Sequence, residues 1–367
     1  MVFGNIYSKK KILITGNTGF KGSWLTVWLL KLGAKVYGLA NDTPTQPSMF
    51  KELGLRERIH HYEEDITDFD SVSNIIEKVK PDFVFHLAAQ SLVSVSYSDP
   101  LYTIATNVIG TANILEALKK SNHQCIGVII TSDKCYDNVE QVWGYKENDV
   151  LGGKDIYSGS KGAAEIIFNS YFNSFFINKK SNIKVASARA GNVIGGGDWA
   201  KDRIVPDCMR AWSKNKIVEI RSPLSTRPWQ HVLEPLSGYL NLGKNLFENN
   251  NLNGESFNFG PLSQFNNTVE DLLKDLAKFW KIKNFSKAFN IKDEIKFHEA
   301  GLLKLNCDKA LSRLKWLPTL TYKELIEFTG TWYFNYYKSK ENMLDFSIKQ
   351  ISNYEQTAFS KKLKWTK

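Results

Sequence analysis

Residues Lys11-Ile12-Leu13-Ile14-Thr15-Gly16-Asn17-Thr18-Gly19-Phe20-Lys21-Gly22 restrict the fold more than any other stretch of this chain. A short apolar strand runs into a GxxGxxG turn. Ser23-Trp24-Leu25-Thr26-Val27-Trp28-Leu29-Leu30 continues as a helix apolar enough to lie on a sheet. Gly16 permits the tight turn, Gly19 lets backbone amides approach a pyrophosphate, and Gly22 allows close packing of helix on strand. Spaced glycines alone are only suggestive, and their place between a strand and a helix is what makes them informative. A second strand, Ala34-Lys35-Val36-Tyr37-Gly38-Leu39, completes a βαβ unit.

The alternation continues. Strand candidates at 11–15, 35–39, 59–63, 82–87, 126–131 and 183–189 are separated by helix candidates, which predicts an α/β fold with a doubly wound, Rossmann-type parallel sheet. After Ala190 the pattern breaks into two loops, GNVIGGGDWAKDRIVPD and RSPLSTRPWQHVLEP, too long to be plain connections. They are assigned to a smaller mixed α/β substrate lobe, about 191–231 plus 259–340. That leaves 9–190 plus about 232–258 as the dinucleotide-binding domain. A strand near Glu255–Phe259 and helices near 268–281, 308–315 and 322–338 are expected. Residues 341–367 are polar and of unclear structure, and 361–367 reads as a solvated tail.

Chemistry is expected at the tip of the apolar strand Ile126-Gly127-Val128-Ile129-Ile130, since open α/β sheets place it at strand tips. Ser132, Asp133 and Lys134 follow that tip, and Tyr157 and Lys161 lie one helical turn apart downstream. A phenol acts as a base near neutral pH only when its pKa is lowered, and a nearby ammonium does that. The YxxxK spacing recurs at Tyr7/Lys11 and Tyr336/Lys340, so context selects Tyr157. The added acid, Asp133, is what separates a dehydratase from a plain dehydrogenase.

Composition excludes several classes. No apolar run approaches the ~20 residues that span a bilayer, and the first residues lack a signal-peptide core. Four cysteines without paired spacing and six histidines without a ligand pattern imply reduced thiols, a cytoplasmic setting and no metal. The net charge of +10 comes from scattered lysines with no arginine–aromatic cluster, so a nucleic-acid partner is not expected.

From about Lys9 to about Gly330 the chain resembles the extended short-chain dehydrogenase/reductases, and within them the nucleotide-sugar 4,6-dehydratases. The resemblance rests on residues 16–24, Pro44-Thr45-Gln46-Pro47-Ser48, His86-Leu87-Ala88-Ala89-Gln90, Ser96-Tyr97-Ser98-Asp99-Pro100, Thr106-Asn107-Val108, Trp143-Gly144-Tyr145, residues 189–199 and residues 227–235. It implies NAD as cofactor, a nucleotide-sugar substrate (CDP-glucose, from the branch matched best) and a homodimer. It also implies that Tyr157 removes the C4 hydroxyl proton, Lys161 lowers the tyrosine pKa and holds the nicotinamide ribose, and Ser132 bonds the same sugar oxygen. Asp133 would protonate the departing C6 hydroxyl. Cofactor contacts are expected from Gly16, Thr18, Gly19, Phe20, Gly22, Asp65, Ile66, Leu87, Ala88, Ala89, Tyr157 and Lys161. Ala40 stands where the usual ribose-binding acid does, and no arginine there greets a 2′-phosphate, which favours NAD over NADP. Substrate contacts are expected from Gln90, Ser132, Asn192, Trp199, Arg203 and Arg227. For the last four, loop packing is the rival explanation. His86 reads as structural, and His298-Glu299 matches the family without an assigned role.

The commoner dehydratases carry Asp-Glu where this chain has Asp133-Lys134, and the CDP-glucose branch carries Asp-Lys. Lys134 is therefore either the C5 base, if partly neutral, or a stabiliser of the enolate with the base elsewhere. A nucleotide-sugar 4-epimerase would use the same serine, tyrosine and lysine with no acid at C6, and a non-catalytic Rossmann protein binding dinucleotide or RNA would need none of them. Ile104, Val108, Ala112, Leu115, Ile166, Ile167 and Tyr171 could form a dimer face or pack inside the subunit.

Overall fold

The computed structural model describes residues 2–178, 181–220, 222–262, 267–291, 302–339 and 341–367; His298-Glu299 lies outside them. The strands are β1 (Lys11–Thr15), β2 (Lys35–Leu39), β3 (His60–Tyr62), β4 (Phe83–His86), β5 (Cys125–Ile130), β6 (Ile183–Ala190), β7 (Val193–Ile194), β8 (Val218–Ile220), β9 (Gln230–His231), β10 (Ser256–Phe259) and β11 (Phe289–Ile291). Seven of them form one sheet in the order β10-β6-β5-β4-β1-β2-β3, every neighbour parallel. This is the doubly wound sheet the sequence predicts. The pairs β8/β11 and β7/β9 stand apart from it, in the second half of the chain.

The helices are α1 (Phe20–Lys31), α2 (Met49–Glu52), α3 (Phe69–Val79), α4 (Val93–Ser98), α5 (Pro100–Ile104), α6 (Gly110–Lys120), α7 (Ile156–Tyr171), α8 (Ile204–Ser213), α9 (Leu233–Glu248), α10 (Val269–Ala277), α11 (Tyr322–Lys338) and α12 (Met343–Ser360). Side chains alternate across the sheet. Ile12, Ile14, Phe83, Phe85, Ile126 and Val128 pack with Trp24 and Trp28 of α1 and Leu236 and Tyr239 of α9. Leu13, Val84, Ile129 and Val185 pack with Val72 and Ile76 of α3 and Ile114 and Leu118 of α6. β5 is buried along its whole length, so its run of apolar residues needs no polar alternation. No helix among the described residues is long and apolar enough to cross a membrane, and all four cysteines are free.

One expectation fails here. The end of the chain is not a solvated tail. α12 lies against α1, where Glu355 accepts from Trp28 Nε1 at 2.8 Å and meets Lys31 at 2.5 Å. Trp365 is 1% exposed and stacks on Phe3 with ring centroids 5.0 Å apart. A polar average hid an amphipathic helix whose apolar residues close the α1 layer. Of the residues that could form a dimer face or pack inside the subunit, Leu115 does the second, fully buried under the sheet with Ile114 and Leu118. Ile104 and Ile166 are exposed, while Val108, Ala112, Ile167 and Tyr171 are half-buried.

Candidate active site

The glycine turn meets the tips of β1 and β4. Gly16 has φ +72°, and a Cβ there would lie 2.7 Å from the Ala88 nitrogen. A Cβ on Gly22 would lie 2.1 Å from the Gly16 carbonyl oxygen, so any side chain would lift α1 off the turn. Around Gly19 the nearest atom is that same carbonyl oxygen, 3.4 Å from the Cβ position. Gly19 caps α1 without a side-chain hydrogen bond, which leaves first-turn amides for an anion. Thr18 is buried beside this turn, and Phe20 reaches the backbone at Gly195. The Leu87 and Ala88 amides donate to the Thr15 carbonyl and hydroxyl, at 3.1 and 3.2 Å. Ala89 follows, half-buried. Asp65 accepts from Thr67 and, at 2.9 Å, from Asn41 just past β2. Ile66 is buried against Gly110. His86 lies between Thr15 at 2.7 Å and Thr111 at 3.1 Å, and burial holds it neutral, its pKa down at about 3.

The catalytic candidates do meet. Ser132 opens the turn after β5, accepts from the Lys134 amide at 3.2 Å and donates to Asp133 Oδ1 at 2.9 Å. Asp133 is 4% exposed and lies 3.9 Å from Lys134 Nζ. Its carboxyl occupies the space beside Gly191, where a Cβ would come within 2.1 Å. Asp155 caps α7 by accepting from the Ser158 amide at 2.9 Å, which sets Tyr157 in the first turn. Lys161 Nζ lies 5.9 Å from the centre of the Tyr157 ring. Burial and the Asp133 carboxylate push Tyr157 up to about 12, against the pull of a hydrogen bond with Ser132. Burial, then Lys21, bring Lys161 down to about 8.

Behind this tip is a buried polar network. Arg189 pairs with Glu165 at 2.8 Å and donates to Tyr136 at 2.7 Å. Glu165 also accepts from Thr131, at 2.5 Å, and from Ser187. Burial alone would raise Glu165, but Arg189 and these hydroxyls outweigh it and hold the carboxyl below its ordinary value. Thr131 immediately precedes Ser132, so the ion pair braces the turn that carries Ser132 and Asp133. Asn107, in the π-type turn Ala105–Ile109, holds the Gln90 backbone at both ends and donates to Ser160 at 2.9 Å.

Of the expected substrate contacts, some are placed elsewhere. The Gln90 amide is committed to Leu92 and Thr103. Trp199 is a core residue, donating to Tyr337 at 3.1 Å and packed on Trp332, Tyr333 and Tyr336. Its partners lie on α11, far along the chain, which no local pattern reveals. Arg203 pairs with Asp198 at 2.9 Å and reaches Ser91 at 3.3 Å. Asn192 has φ +53° and lines a cleft with Asp133, Gly191, Pro228, Gln230 and Leu305. Arg227 donates to the Thr226 carbonyl at 3.0 Å.

Lys21 is the residue the sequence reading passed over. Burial and the Arg203 guanidinium push it down to about 8, while Asp133 and Asp198 pull the other way. Its field also reaches Lys161. The only signal was a lysine inside a glycine turn, where a phosphate-facing amine is unremarkable.

This sheet order, this glycine turn and the tyrosine–lysine pair on α7 are those of an extended short-chain dehydrogenase/reductase. More narrowly, the chain belongs to the family described as GDP-mannose 4,6 dehydratase, whose sequence profile matches residues 13–329. It is 44% identical to the CDP-glucose 4,6-dehydratase of Salmonella typhimurium over 96% of this chain and 98% of that protein. It is 26% identical to the dTDP-D-glucose 4,6-dehydratase of Dictyostelium discoideum, covering 89% and 82%. Among solved structures, a Thermotoga maritima UDP-glucose 4-epimerase with UDP-glucose aligns with TM-score 0.75 at 23% identity, covering 89% and 99%. A Bacillus anthracis dTDP-glucose 4,6-dehydratase in complex with NAD aligns with TM-score 0.72 at 20% identity, covering 88% and 96%. These two structural matches bear on the fold alone.

Proposed function

We propose that this chain converts CDP-glucose to CDP-4-keto-6-deoxyglucose, a 4,6-dehydration that uses NAD and releases water. The observation that carries the reading is Asp133, a buried carboxyl set against Gly191 and bonded to Ser132 beside Tyr157. An epimerase has no use for an acid there.

The residues fit a bound dinucleotide: Gly16 lets the turn close on the Ala88 backbone, bare Gly19 leaves room for the diphosphate at the uncapped end of α1, and Lys161 stands ready for the nicotinamide ribose. The chemistry NAD supplies when bound is reversible hydride acceptance, from C4 of the sugar and back to C6. Tyr157 takes the C4 hydroxyl proton. It does so as the phenolate, a form that its pKa of about 12 makes scarce without help, so the Lys161 ammonium is needed to stabilise that form. Ser132 holds the C4 oxygen. Once C4 is a ketone the C5 proton is acidic, and Asp133 delivers its proton to the leaving C6 hydroxyl. Lys134, beside Asp133, either takes the C5 proton or neutralises the enolate. Arg203, Asn192 and Arg227, on the loops of 191–231, form part of the nucleotide wall. Two copies pair through α5, α6 and α7, using exposed Ile104 and Ile166.

The test offers the purified protein CDP-, dTDP-, UDP- and GDP-hexoses and seeks a 4-keto-6-deoxy product by mass and NMR. No product from CDP-glucose, or a C4 epimer in its place, defeats the reading. Asp133→Asn should slow dehydration by about 10²–10⁴ while C4 oxidation survives, and Tyr157→Phe should block both. Equal loss of C4 oxidation in the two variants would make Asp133 a scaffold residue. A monomer by light scattering would defeat the pairing.

A further inference from the structure

Gln230, in β9, is 2% exposed. Its Nε2 donates to the carbonyl oxygens of Gly191 and Phe259, both at 2.9 Å. That fixes the amide, because reversing it would set an oxygen against two carbonyl oxygens. Oε1 then faces away from both, with no hydrogen-bond donor among the described residues. Buried acceptors are seldom left in that state.

Gln230 and Asp133 line the same narrow cleft, whose walls also include Gly191, Asn192, Pro228 and Leu305. Asp133 reaches it only because Gly191 has no side chain. An acid that must expel a hydroxyl and the side chain that carries an unclaimed neutral acceptor therefore line one narrow cleft. The room in it is at the lower limit for a single water molecule.

We propose that this cleft receives the water lost from the sugar, with Gln230 Oε1 accepting one of its hydrogens. The assignment rests on the reading of Asp133 as the acid. As the enolate's electron pair forms the C5–C6 double bond, the C6–oxygen bond breaks and the Asp133 proton moves to that oxygen. Asp133 is left as a carboxylate and one neutral water departs. Oε1 first accepts from the C6 hydroxyl, turning its lone pair toward Asp133, and then holds the water formed. A neutral acceptor suits a neutral leaving group, since a cation in its place would favour hydroxide.

The experiment compares the full-length Gln230→Leu, Asp133→Asn and unaltered proteins with CDP-glucose by rapid quench and mass analysis of the sugar. Gln230→Leu should dehydrate about tenfold more slowly, roughly the worth of one hydrogen bond in rate, with C4 oxidation changed less than about twofold. The quenched sugar should then be a 4-keto hexose that keeps its C6 oxygen. Unchanged dehydration, or an equal loss of C4 oxidation, overturns the proposal, the second because Gln230 would then merely hold two carbonyls. If Asp133→Asn stalls elimination while Gln230→Leu does not, only the water site fails. If Asp133→Asn dehydrates normally, the acid reading fails and takes this inference with it. Should Gln230→Leu not fold, a high-resolution crystal structure of the unaltered protein decides: an ordered water within hydrogen-bond reach of Oε1 supports the site, and a protein donor or no density there overturns it.

Discussion

Two glutamates lie equally deep in this molecule and sit in opposite electrostatic states. Glu165, behind the catalytic turn, is fully buried, and Arg189 keeps it below its ordinary pKa. Glu234, where α9 meets the C-terminal helix, accepts from the Thr319 and Leu320 amides and the Tyr354 hydroxyl and feels the Lys361 ammonium only as a weaker charge not paired with it. Burial outweighs those neutral donors and pushes it up to about 7. Neutral donors with a lysine nearby but not paired to it did not hold the second carboxyl low, and a directly paired arginine with hydroxyl donors held the first. The region that must hold its geometry at every working pH is the one given the cation.

The largest effect should come from breaking the first arrangement. Glu165→Ala leaves the Arg189 charge buried and uncompensated, which should cost about 3–5 kcal/mol by chemical denaturation. A loss under about 1 kcal/mol would show that Arg189 finds solvent. The second arrangement should show itself through pH. The folded pKa of Glu234, about 7, lies above its ordinary 4.5, so its stabilising contribution is complete at acid pH and is lost as pH rises through about 7. Stability should fall by up to about 3 kcal/mol from pH 5 to pH 8 relative to Glu234→Gln. Glu165 contributes with the opposite sign, since its stabilisation is present above the unfolded pKa and lost on acidification. Parallel pH curves for Glu234→Gln and the unaltered protein would erase the contrast. The smallest effect concerns the cations. Removing the ammonium in Lys21→Met should let the Lys161 pKa rise from about 8. The basic limb of the pH–rate profile should then move up by about one unit or less, and a downward move would mean that Lys21 does not act on Lys161.

What could be read from sequence was local. The strands of the main sheet were legible because buried parallel strands are nearly all apolar. The catalytic candidates were legible because strand, turn and helix each carry a short motif. What was missed depends on distant partners. Trp199 looked like a loop aromatic, but its neighbours are on α11. Gln90 looked available, but Asn107 and Thr103 had already claimed its loop. Lys21 drew no notice because Asp198 and Arg203, which shape its surroundings, come almost 180 residues later. The C-terminal segment averaged to polar, and only α1 shows which of its faces is buried.

The pairing of α1 with α12 also has a consequence in time. Trp28 bonds Glu355 across 327 positions and meets Tyr354 edge-on at 5.6 Å. At about 5–20 residues per second, a ribosome delivers Glu355 some 15–65 s after Trp28. Throughout that interval the tryptophan-rich flank of α1 waits uncovered, while the sheet beneath it can already pair. A nascent chain in this condition is a natural client for a holding chaperone, and premature termination between about residue 260 and Tyr354 would release a chain that has the whole main sheet and the Ser132 turn but an open, adhesive side.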